Sequence, residues 1–426
     1  MKAAANKNVR FVNIVNILLY AATIATVLTY FTVRSVSDFT EVLYPLLWIA
    51  VLGLMIWRGN PVKFDKRTIR LIISYILCII FHGFAILAQY HAAQSSPGIA
   101  MYLPYCVCFY FIGYNLRGDD SATAMTLMRV YVVAVLCVAL QTYFGVNWVN
   151  QKNQLGQILG VAAVTLLLVF PKFTKKKIIR IACYAGGIFL LFSLNYIEAR
   201  TPMAAAIAAV GWHILSKYRG KRKKHTVSVG LIAAVIALIA LAVLAYEMRW
   251  LDRLFHSFSP EHGRDIVFSE AVGDWNKMDI LLSGRLSVIT TAVEYFFRSP
   301  MLGVGAYFYR DNFALHVLAS GGICYGLALF PASYGVMWAT NREMNAHLAA
   351  ISENSPYYLC RLLLRYLTVF YVVESLGEGC PPLGPGTSSF IYWIVLGLSN
   401  TVLRSQKQKE SLGQGSEKDI AEEAAS

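Results

Sequence analysis

Charge is scarce in this sequence. Asp, Glu, Lys and Arg make up 15% of its 426 residues, 57% are hydrophobic, and mean hydropathy is +0.52. That shortage excludes a soluble globular protein, because a chain of this size has too little interior to hide so much apolar surface. The alternating ten-residue segments that build a membrane β-barrel are missing as well: the apolar runs are long and continuous. No His-Glu-x-x-His, no Cys-x-x-Cys and no Walker loop occurs, so the sequence offers none of the usual zinc, dithiol or nucleotide signatures. The eight cysteines lie mostly inside apolar runs, Cys78, Cys106, Cys108, Cys137, Cys183 and Cys324 among them, and Cys380 stands in a loop. Cys106 and Cys108 are two apart on an expected helix, face different sides and cannot share a metal. They read as small apolar filler. No cofactor and no metal site is expected.

What the sequence has is a series of apolar runs separated by basic clusters. Net charge is +14. In a soluble protein that excess would suggest nucleic acid, but here it sits between apolar runs, as membrane orientation requires. Nucleic acid is not an expected partner; the lipid bilayer is. The fold class is all-α, a polytopic integral membrane protein with about twelve spans, near 11–33, 39–57, 69–90, 98–116, 124–145, 154–171, 178–195, 202–216, 226–246, 317–338, 357–376 and 387–404. Each is close to the roughly 20 residues a bilayer needs. The first run follows the basic start MKAAANKNVR but is too long for a signal peptide, and reads as an uncleaved span.

The basic loops RGNPVKFDKRTIR, PKFTKKKIIR and SKYRGKRKKH all fall on one side of this twelve-span topology, together with both termini. The positive-inside rule makes that side cytoplasmic. The short opposite loops hold only Arg34, Lys152 and Arg200. Residues 1–246 then form nine spans, 247–316 one large outside loop, 317–404 three further spans, and 405–426 a polar, disordered cytoplasmic tail. Within the loop, GRLSVITTAVEYFF spaces Leu286, Ile289, Val293 and Phe296 as an amphipathic helix that should lie against the bundle or the membrane surface. SPMLGVGAYF follows, broken by Pro300, Gly303 and Gly305.

Several polar residues stand at the outside ends of spans. Arg200 precedes the eighth span and reads either as an interfacial arginine whose charge snorkels to water or as an anion clamp. Arg285 follows Ser283-Gly284. Ser283 is a candidate cap, and free amides at that helix start would join the guanidinium in binding phosphate; the alternative is a solvated surface arginine. Asn153 and Gln154, in QKNQLGQILG, are either polar caps or hydrogen-bond partners for sugar and phosphate. In YFYRDNFALHVLASGG, Asp311 and His316 are candidate proton acceptors, and Asn312 and His316 are four apart on one helical face.

Taken in order, these pieces resemble the O-antigen ligase and O-antigen polymerase superfamily, from about Lys152 to Asn400. KNQLG stands before a span, and EARTPMA opens another with an arginine. A long outside loop then carries SGR and SPMLGVGAYF, and DNFALHVLASGGICYGL leads into a later span. The last two correspond to the family wordings P-x-x-G-x-G and H-N-x-x-L-x-x-L-x-x-x-G. The resemblance implies a GT-C-like fold and glycosyl transfer at the periplasmic face of the bacterial inner membrane. The donor would be an oligosaccharide on undecaprenyl diphosphate. It further implies that Arg285 and Arg200 hold the diphosphate, that Asp311 or His316 serves as base, and that Lys152, Asn153, Gln154, Arg310 and Asn312 contact substrate, without a metal. A chain-length regulator and a flippase are the implied protein partners. Ligases of the family rely on the histidine of the His-Asn pair, where this chain has Asp311-Asn312. That departure favours a polymerase of O-antigen, capsule or exopolysaccharide repeat units over a ligase acting on lipid A core. A flippase or transporter is the rival from another class; it would favour inverted repeats or broken helices.

Overall fold

The architecture comes from a computed structural model. It describes residues 2–31, 34–57, 64–88, 98–116, 121–143, 152–197, 199–220, 273–281, 285–304, 312–347, 357–384 and 388–404. Among these residues the regular structure is entirely helical. The helices are α1 (Lys2–Leu28), α2 (Arg34–Trp57), α3 (Lys66–Ala88), α4 (Leu103–Asn115, entered through a 3-10 turn), α5 (Ser121–Thr142), α6 (Lys152–Val164), α7 (Phe170–Phe173), α8 (Lys177–Tyr196), α9 (Arg200–Gly220), α10 (Trp275–Leu281), α11 (Arg285–Arg298), α12 (Phe313–Phe330), α13 (Val336–His347), α14 (Tyr357–Gly377) and α15 (Phe390–Arg404). A π-helical segment, Thr165–Val169, joins α6 to α7, and another, Pro331–Gly335, joins α12 to α13.

Six helical stretches are long and apolar enough to cross a membrane: Ser35–Trp57, Lys66–Ala85, Thr123–Thr142, Asn153–Phe173, Lys177–Tyr196 and Phe313–Ala346. Asn13–Leu28 and Phe390–Arg404 are shorter apolar helices. The chain is therefore a polytopic helical membrane protein. The expected segments at 98–116, 202–216 and 357–376 also coincide with helices. The segment 226–246, most of the 247–316 loop and the 405–426 tail lie outside the described residues.

Burial separates inner helices from outer ones. α6 with its π segment and α15 are enclosed by protein, and Trp393, Tyr392 and Tyr371 are wholly buried. α4 and α15 approach backbone to backbone where Gly113 meets Ile394 and Gly397 meets Tyr110, the close packing that small residues permit between helices in lipid. Outer helices turn apolar side chains outward: on α3, Ile69, Ile73, Ile76, Ile80 and Phe84 are all exposed. In water such a surface would be a liability; in a bilayer it is the solvent-matched face.

The amphipathic helix expected after Gly284 is present as α11 and packs on α12. Its contact with the bundle is made by small residues, and part of the expected stripe faces outward, as it would against a membrane surface. Ala292 is buried against Ala319, with Tyr295, Val304 and Leu315 around them, while Ile289 and Val293 are exposed. Small residues approach the bundle and branched ones face away.

Candidate functional site

Three segments remote in sequence meet at the C-terminal end of α14. The first is the start of α6. Asn153 Nδ2 donates to Glu378 Oε2 at 3.2 Å, and Gln157 Nε2 donates to Glu374 Oε2 at 2.9 Å. Ser388 Oγ donates to Gln157 Oε1, and Gln154 Oε1 accepts from the Tyr30 hydroxyl at 3.3 Å. KNQLGQ thus presents a row of amides that holds two carboxylates one helical turn apart. Glu374 and Glu378 are 1% and 4% exposed. A buried carboxylate requires such donors, since each unmet lone pair has no water to turn to. The Tyr371 hydroxyl, one turn before Glu374, is buried and has no hydrogen-bond partner among the described residues.

The second segment opens α9. Thr201 lies against Gly377, and Ala199 and Pro202 lie against Gly156. This wedges the half-buried Arg200 between the start of α6 and the end of α14. The third is the start of α12. Asn312 is its N-cap: Oδ1 accepts from the Leu315 amide at 3.0 Å, and Nδ2 donates to the Leu376 carbonyl at 3.0 Å. His316, one turn on, is 3% exposed and places Nδ1 3.0 Å from the Gly379 carbonyl. A carbonyl only accepts, so Nδ1 is the donor in this bond, and in the neutral form of the ring Nε2 is the acceptor nitrogen.

The glycine motifs hold α11 and α12 together. α12 is broken at Gly322, whose φ is 64° and ψ −163°, a combination open essentially to glycine alone. The break frees backbone groups, and the Pro300–Val304 turn satisfies them. Ile323 N donates to Pro300 O at 2.8 Å, Cys324 N to Met301 O at 3.2 Å, and Val304 N to Ala319 O at 2.9 Å. A Cβ on Gly303 would strike the Ser320 and Gly321 backbone, and one on Gly322 the backbone of Met301. The interrupted helix is therefore closed by its own chain, with these groups occupied, rather than presenting them to an ion as broken transporter helices do.

Arg285 is the first residue of α11, and its side chain lies outside the described set. The start of that helix carries a correction. Two of the amides expected to be free there are occupied: Asp279 Oδ1, from α10, accepts from Leu286 N at 2.8 Å and Ser287 N at 3.0 Å. The helix end already holds an anion, and the dipole is satisfied by the chain itself. Ser283, Arg310 and Asp311 lie outside the described residues, as does the side chain of Lys152. Cys380, expected in a loop, is indeed in the turn after α14 but is buried there, at 1% exposure. Glu374 and Glu378 were not anticipated. The available signal was an acid near the end of an apolar run, in YVVESLGEG, because ionisable groups at that depth are costly and seldom idle.

A polytopic helical membrane protein with histidine, carboxylates, amides and an arginine gathered at one end of its bundle is the class that these features define. Residues 185–327, about a third of the chain, match the family described as O-Antigen ligase. The match spans Arg200, Arg285, both glycine motifs and the Asn312–His316 turn, and leaves KNQLG outside. It bears out the resemblance to the O-antigen ligase and polymerase superfamily. A function of the ligase or polymerase type follows, that of a membrane glycosyltransferase-like enzyme acting on lipid-linked glycans in a bacterial membrane. No curated protein matches the chain in sequence.

Proposed function

We propose that this protein is a bacterial surface-polysaccharide polymerase. It transfers a glycan from undecaprenyl diphosphate to an acceptor repeat unit at the periplasmic face of the inner membrane. The observation that carries the reading is the convergence of KNQLGQ, the Arg200 turn and the Asn312–His316 turn on Leu376–Gly379. Amides and carboxylates at that junction suit a hydroxyl-rich ligand, and an arginine beside them suits its phosphates.

In this mechanism an acceptor hydroxyl attacks the anomeric carbon of the donor. The new C–O bond forms as the bond from that carbon to the diphosphate oxygen breaks, and the hydroxyl proton passes to a base. His316 is favoured as base because the Gly379 carbonyl fixes the tautomer in which Nε2 accepts. Arg200 and Arg285 stabilise negative charge growing on the departing diphosphate, an effect strongest where water is sparse. Asn153 and Gln154 orient sugar hydroxyls beside the glutamates. Asn312, whose amide is engaged at both ends within the chain, positions His316 by capping its helix. Lys152, Arg310 and Asp311 complete the substrate-facing set. Twelve crossings with both termini in the cytoplasm belong to the same proposal, as do a flippase and a chain-length regulator as partners.

Deletion of the gene tests polymerase against ligase. A polymerase null leaves lipopolysaccharide or capsule carrying single repeat units. Full-length polymer that stays on the lipid carrier, with uncapped lipid A core, would instead identify a ligase.

A further inference from the structure

The other end of the bundle holds a cavity of about 560 Å³ whose lining includes Lys66, Arg67, Arg70 and Arg404, with Asp65 and Glu343 as its acids. It is remote from the candidate site: Glu343 stands 20 residues beyond the end of the Gly322 break, at Ile323, on the α12–α13 helix, roughly 30 Å of helical rise.

Both acids are committed to the protein. Asp65 Oδ1 accepts from the amide and hydroxyl of Thr68 at 2.8 and 2.6 Å, and its Oδ2 accepts from the Tyr110 hydroxyl at 2.6 Å. Glu343 pairs with Arg67 at 2.9 Å. Arg67 is also fixed by Asn400 Oδ1, and Asn400 is itself held by Thr340 at 3.1 Å. Arg404 donates to the Tyr114 hydroxyl at 3.2 Å. These bonds set two guanidinium groups into the cavity wall in defined positions. Lys66 and Arg70 line the same space and have no acid within 4 Å among the described residues. Positive-inside placement alone would scatter basic residues along loops; here four of them surround one cavity with net charge +2.

The adjoining surface indicates what kind of anion belongs there. Arg70 heads a stripe on α3, continued by Ile73, Leu77, Ile80 and Phe84 at helical spacing, all of them exposed. A ligand with its phosphate in the cavity would find an apolar track for hydrocarbon directly beside it. We propose that this cavity binds the phosphate head group of an anionic phospholipid from the leaflet on the Lys/Arg-rich side, with an acyl chain laid along the outer face of α3. Basic pockets between membrane helices are suited to such head groups.

The test is native mass spectrometry of the full chain in detergent, titrated with phosphatidylglycerol, phosphatidylcholine or soluble glycerol phosphate. Phosphatidylglycerol is expected to stay bound where phosphatidylcholine is lost. The exposed double substitution Lys66→Ala with Arg70→Ala is expected to weaken retention roughly 10- to 30-fold. As a comparison that keeps all four basic residues, Ile73→Ala with Ile80→Ala should weaken phosphatidylglycerol while leaving glycerol phosphate unaffected. Equal binding of the two lipids, or undiminished phosphatidylglycerol binding by the Lys66/Arg70 variant, would overturn the proposal. Displacement of the lipid by glycerol phosphate at equal concentration would also overturn it, by making a soluble phosphate the ligand.

Discussion

At one end of the bundle two buried glutamates are held by side-chain amides; at the other, Arg67 is held by Glu343 and Asn400, and Arg404 by the Tyr114 hydroxyl, around an open cavity. The same polar vocabulary is used in opposite senses. At the glutamate end, side-chain amides of α6 donate to both acids, which stand beside the Arg200 turn. At the arginine end, Glu343 fixes Arg67 and Asp65 is taken up by Thr68 and Tyr110, which leaves a basic wall. The contrast shows why counting charges per side gives orientation but not chemistry: what a charge does depends on which groups already occupy it.

The largest expected effect falls on the two arginines of the proposed diphosphate clamp. Arg200→Ala and Arg285→Ala should each lower polymer formation by about 100-fold or more, as loss of transition-state charge stabilisation does, with membrane protein levels unchanged on immunoblots. Normal polymer from either variant would remove the diphosphate clamp. His316→Ala should reduce turnover by roughly 100-fold or more if Nε2 takes the proton, measured as the initial rate of glycosidic bond formation. A rate within a few-fold of wild type would shift the base to Asp311.

Smaller effects fall on the framework. Gly322→Ala places a side chain in a backbone region closed to it and against Met301, and should cost at least about 3 kcal/mol of stability, seen as a lowered unfolding midpoint in detergent. Glu374→Ala leaves the Gln157 amide without its acceptor in a buried site and should cost about 1–3 kcal/mol. Asp279→Ala uncaps α11 and should cost about 1 kcal/mol; its activity loss reports how firmly the cap positions Arg285.

The helical fold was legible because lipid demands long apolar runs, and runs of that kind are visible without knowing the packing. Which side of α11 meets the bundle and which the membrane surface was left open. Leu286, Ile289, Val293 and Phe296 mark a hydrophobic stripe, yet the contact centres on Ala292 and Ala319. In a membrane protein large apolar side chains gain nothing extra from facing protein, so small residues mark the interface instead. KNQLG, EARTPMA and DNFALH were recognised as polar ends of spans, but their partners were not, because Glu374, Glu378 and Gly379 lie some 60 to 225 residues away in sequence. The Asp279 cap was hidden for a similar reason: its acceptor belongs to the preceding helix rather than to the residue before Leu286-Ser287.

Reconstitution tests the central claim most directly. The purified chain in liposomes, given a single undecaprenyl-diphosphate-linked repeat unit, should yield a ladder of longer glycans and release one lipid diphosphate for each bond formed. Repeat units that cross the bilayer unchanged, with no new glycosidic bond and no free lipid diphosphate, would contradict it and point to a transporter.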